Sequence, residues 1–118
     1  MDDPVDFADL LAAFDKRALR AMIAAVDRMP ALVPSLIAWL DHAAHWEYDR
    51  RHGHHYPLQA PMHAIPDDER AAALDASALI GQSFRHERRA DLAPVIAFFE
   101  CLAKTLAAEH ARTGSSLH

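Results

Sequence analysis

At 118 residues the chain has room for one domain with a single packed core. Its formal charge of −5 argues against a general nucleic-acid binder, which needs a basic surface to neutralise phosphates, although nine histidines would raise that charge in mild acid. A lone cysteine, Cys101, excludes an internal disulfide and makes a reducing cytoplasm the expected compartment.

The apolar fraction of 52% is carried heavily by alanine, the residue that costs least in a helix, and only three glycines interrupt it. Residues that favour strands are sparse, so an all-α fold follows. The N-terminal MDDPVDF is acidic and lacks the basic and apolar regions of a targeting signal. No apolar run approaches the roughly 20 residues that span a bilayer.

The first helix is expected over residues 4–29. Asp3-Pro4 forms a start, and Phe7, Leu10, Leu11, Phe14, Ala18, Ala21, Met22 and Ala25 make one apolar stripe. Leu19, Ile23 and Val26 widen that stripe, and a homodimer interface is expected to use them. Met29-Pro30 ends the helix, since the residue before proline is pushed out of the α region.

A second helix is expected over 33–52, with Pro34 in its first turn. Leu32, Val33, Leu36, Ile37, Trp39, Leu40, Ala43, Ala44 and Trp46 fill about half of its circumference at ~100° per residue. Asp41, His45, Tyr48, Asp49 and His52 occupy the other half. Gly53 is a natural stop. From Pro34 to Pro66 the chain holds six of its nine histidines, both tryptophans and both tyrosines. A long Pro/His-rich loop therefore separates helices two and three, in which Tyr56, Leu58, Met62 and Ile65 are placed to pack.

The third helix, expected over 67–85, opens with Asp67 as cap and acids in the first turn. Its amphipathicity is weak: Ala73, Ala76, Ile80 and Phe84 align while Leu74 and Leu79 diverge, and Gly81 offers a kink. RHERRAD (85–91) connects it to a fourth helix over 91–113. There Leu92, Val95, Ile96, Phe99, Leu102, Ala103 and Leu106 form a stripe that Phe98 broadens and Gly114 closes. The expected architecture is a four-helix-bundle-like single domain over 1–118.

Candidate chemistry is thin. His42, His45, Asp49 and His52 lie at helical spacing and could ligate a metal, with His54, His55 and His63 nearby, but an imidazole site needs several converging groups. Neither HExxH nor a Glu-x-x-His pair is present, and no phosphate loop or nucleophile elbow occurs. No enzyme activity and no cofactor is expected.

A protein-binding surface is the better expectation. Trp39, Trp46, Tyr48 and Tyr56, with Arg50 and Arg51, are the residue types that dominate interaction hot spots, while the tryptophans would serve equally as bundle core. In size, all-helical layout and absence of catalytic equipment the chain resembles small bacterial antiactivators of LuxR-type quorum-sensing regulators. The resemblance rests on outline, so no family residue is carried over. It implies a non-enzymatic helical regulatory protein that binds and inhibits a transcription regulator by occupying its dimerisation or ligand-domain surface, without contacting DNA or membrane. The alternative is a metal- or small-ligand-binding bundle using the histidine segment 42–63.

Overall fold

The computed structural model describes residues 7–28, 33–88 and 90–116, with side chains throughout except at 62, 63, 90 and 112–116. The fold is all-α. In chain order come α1 (Phe7–Ala12), α2 (Lys16–Asp27), α3 (Pro34–Arg51), α4 (Pro61–Ala64), α5 (Asp67–His86), a 3-10 turn (Ala90–Leu92) and α6 (Ala93–Ser116). Among the described residues no helix is long and apolar enough to cross a membrane. The Asp3-Pro4 start, Leu32 and the Met29-Pro30 stop lie outside the described residues.

The first expected helix is two helices meeting at a corner. Asp15 takes an extended conformation and its carboxylate accepts the Ala18 N–H at 2.7 Å, capping α2. Asp competes well for such a cap and poorly for a helix interior. Phe14, at the corner, is buried against Phe98 with ring centroids 5.8 Å apart. Both pieces keep the expected stripe: Phe7 and Leu11 on α1, then Ala18, Met22, Ala25 and Val26 on α2, are buried.

Pro34 sits in the first turn of α3, and the helix ends where Gly53 predicts. Gly53 has φ +87°; its N–H reaches the Arg50 carbonyl at 3.2 Å and the His54 N–H reaches that of Asp49 at 2.9 Å. This 5→2 and 6→1 pair is a Schellman stop, whose left-handed residue is cheapest as glycine. Beyond it, residues 54–60 run without helix or strand as a strap along α3, and α4 and the buried Ile65 lead into α5.

Helix α5 buries Arg70, Ala73, Ser77, Gly81 and Phe84. Asp67 is its first helical residue rather than its cap, and pairs with Arg70 at 2.6 Å. Gly81 lies inside the unbroken helix, and the small residues let α5 lie close along α6 as an antiparallel hairpin. A Cβ at Gly81 would meet Glu100 Cγ at 3.5 Å and Phe99 Cβ at 3.8 Å. Arg85 clamps the pair from outside, its Nε and Nη2 donating to Glu100 at 2.6 and 2.8 Å.

Helix α6 continues through Gly114 to Ser116 instead of closing there. It carries the centre of the core. Phe98 stacks on Trp39 (5.9 Å) and meets Phe7 (5.6 Å) and Phe99 (5.5 Å) edge-on. One aromatic hub thus joins α1, α3 and α6, and aromatic pairs at such distances add stability beyond their buried area.

Candidate functional site

Four residues of α3 at helical spacing, Trp39, His42, Trp46 and Asp49, face the strap and hold it. Trp39 Nε1 donates to the Gln59 carbonyl at 2.7 Å, and Trp46 Nε1 to the Tyr56 carbonyl at 2.6 Å. The Gln59 N–H donates to His42 Nε2 at 3.3 Å, and the Tyr56 hydroxyl to the Asp49 carboxylate at 2.7 Å. That bond to Asp49, with some desolvation, pushes the Tyr56 phenol up from its usual range.

These bonds correct the expectation that the tryptophans form a partner surface. Trp39 is 1% exposed and Trp46 is buried, so both belong to the core and its cover. Arg50 and Arg51 are likewise committed. Arg50 donates from Nε (3.0 Å) and Nη2 (2.6 Å) to Glu47, and Arg51 Nε donates to the same carboxylate at 2.7 Å. Arg51 Nη2 also donates to the Phe14 carbonyl at the α1–α2 corner. Of the six expected partner residues, Tyr48 (56% exposed) and Tyr56 present the most open surface. Tyr48 stacks on His52 with centroids 4.1 Å apart.

Glu47 is a fully buried carboxylate that sequence reasoning passed over. Burial alone would push its carboxyl up; the hydrogen bonds and charges of Arg50 and Arg51 outweigh that and hold it below its ordinary range. The signal was present in phase: Leu36, Leu40, Ala43 and Glu47 follow one another on one helical face, and Arg at i+3 and i+4 supplies the partners.

The described histidines of α3 do not converge. His45 donates from Nδ1 to the Asp41 carbonyl at 2.9 Å, and His52 Nδ1 to the Tyr48 carbonyl at 2.8 Å, so each is turned back on its own helix. His42 and Asp49 are used by the strap. Among the described residues no group of three His, Cys, Asp or Glu is arranged to hold a metal; the His63 side chain lies outside them. Of the expected dimer residues, Val26 is buried, Leu19 half-buried and Ile23 exposed, which leaves Ile23 alone as open surface on that face of α2.

A concave feature lies elsewhere, between the end of α2 and α5. A groove of about 500 Å³ is walled by Ala25, Arg28 and Val33 on one side and by α5 from Ala72 to Glu87 on the other. Its lining is largely apolar, with Ala76, Ile80 and Phe84. No protein-family model, curated protein or solved structure matches this chain. What the groove can do is therefore read from its chemistry. Leu79 stands 67% exposed at its edge, the most exposed large apolar side chain among the described residues. Asp75 and Glu87 put negative charge on the α5 rim, and Arg28 puts positive charge on the α2 rim. Ser83 adds a hydroxyl to the lining.

Proposed function

We propose that this chain is a non-enzymatic binding module that takes an amphipathic helix of a protein partner into the α2–α5 groove. The observation that carries this reading is Leu79, exposed at the edge of an elongated apolar groove. From Ala72 to Glu87 the α5 wall advances about 22 Å at 1.5 Å per residue, the length of four helical turns. Such a groove suits an apolar helix ridge read at i, i+3, i+4 and i+7, whereas a compact small molecule would leave its ends open. The opposed rim charges favour a helix with basic residues toward α5 and an acidic residue toward Arg28. Covering a leucine of this exposure contributes on the order of 1–2 kcal/mol, enough for one anchor among several. A regulatory role follows if the captured helix belongs to the partner's own dimerisation surface, as in a transcription regulator.

The test is a native-lysate pull-down with the wild-type chain and with Leu79→Glu, matched by circular dichroism to confirm that both are folded. A stoichiometric protein retained by the wild type and lost by Leu79→Glu supports the proposal. A protein retained equally by both, or recovery of this chain alone, overturns it.

A further inference from the structure

We infer that His42 is a pH-sensitive latch that holds the strap 54–60 over the tryptophan edge of α3. The strap is fastened by side chains of α3: apart from the His54 N–H at the helix stop, its described hydrogen bonds to α3 go to Trp39, His42, Trp46 and Asp49. Gln59 is held at both of its backbone polar groups, its carbonyl by the Trp39 indole and its N–H by His42 Nε2.

The direction of that second bond makes it a switch. A backbone N–H only donates, so Nε2 of His42 must offer a lone pair, which places the ring proton on Nδ1. Protonated imidazole has no lone pair to offer. An N–H would then face the Gln59 N–H, and the bond becomes a repulsion. Histidine changes charge between about pH 5 and 8, where the other fastenings do not change. The two indoles do not titrate, and the hydrogen bond to Asp49 pushes the Tyr56 phenol further above this range.

The charged neighbours of His42 leave the latch free to act. On α3, Asp41 turns to His45 (3.6 Å), and Asp49 accepts from Tyr56. On the strap, His54 and His55 are exposed. From α4 the one titratable residue is His63, whose side chain is outside the described set. Among the described residues no carboxylate stands within 4.0 Å of the His42 ring to hold a proton there. Below the histidine range the Gln59 end of the strap loosens and the edge of Trp39 opens to water, while the Trp46–Tyr56 end stays fastened.

The experiment is amide hydrogen exchange of the full chain between pH 7.5 and 5.5, corrected for intrinsic rates, with the tryptophan emission followed in parallel. Protection of the Gln59 amide is expected to fall on the order of fivefold across that window, the size of one hydrogen bond. The emission should shift to the red with the same midpoint. His42→Gln keeps an acceptor that does not titrate and should flatten both curves. Constant Gln59 protection in the wild type overturns the latch, and so does an unchanged step in His42→Gln, which would assign the transition to another histidine.

Discussion

The indole N–H of Trp39 meets the carbonyl of Gln59 at 2.7 Å, twenty positions along the chain. Its ring stacks on Phe98 at the centre of the core. One side chain therefore joins the core to an irregular strap, and Trp46 does the same at Tyr56 with a more peripheral ring. The two should differ in weight. Trp46→Phe removes one hydrogen bond whose carbonyl partner can turn to water, a loss of about 1 kcal/mol. Trp39→Phe also leaves a void at a fully buried site, and about 2 kcal/mol or more is expected. Urea midpoints of the two variants check the order.

Glu47 gives a pH dependence of defined sign. Its carboxyl is held below the ordinary value of 4.5, so the folded state binds the proton less readily than the unfolded chain does. The stability it contributes is fully present above the unfolded value and is lost as the pH falls through the lower, folded one. Glu47→Gln should cost on the order of 2 kcal/mol at pH 7, because Arg50 and Arg51 lose their charged acceptor. The gap between variant and wild type should narrow once the pH drops well below 4.5. Urea titrations at neutral and acid pH measure both.

At Gly81 an added methyl would find ordinary contact with Glu100 Cγ and Phe99 Cβ. Glycine inside a helix costs about 1 kcal/mol relative to alanine. Gly81→Ala should therefore raise the melting temperature, while Gly81→Val should lower it by crowding the α5–α6 contact.

Arg88 follows the end of α5 with φ +53°, a left-handed position that helix stops normally give to glycine. Arg88→Gly should stabilise by up to about 1 kcal/mol, since a side chain there strains the backbone. Equilibrium unfolding compared with Arg88→Ala, which keeps the strain, separates this effect from loss of the charge.

The helix phases were legible because Phe7, Leu11, Met22, Leu36, Leu40, Phe98 and Leu102 are large and regularly spaced. The corner at Asp15 was not, since an aspartate on a continuous apolar stripe reads as surface until its cap is seen. Helix α5 misled for a different reason. Its buried face is built largely from Ala73, Ser77 and Gly81, which suit closeness to α6 rather than hydrophobicity. The divergence of Leu79 from the apolar stripe was legible, but the groove beside it was not, because its opposite wall comes from residues near the end of α2. The expected aromatic partner surface failed at the tryptophans because their partners are backbone carbonyls 10 and 20 residues away in an irregular segment, which no periodicity encodes.

The binding proposal is tested most directly by photo-crosslinking. A photoreactive amino acid is placed at Leu79 in one variant and at Tyr48, exposed on α3, in another, and each folded protein is irradiated in native lysate. The groove predicts one heterologous protein crosslinked from position 79 and little from position 48. Crosslinks from position 48 with none from 79, or from 79 only to a second copy of this chain, would contradict it.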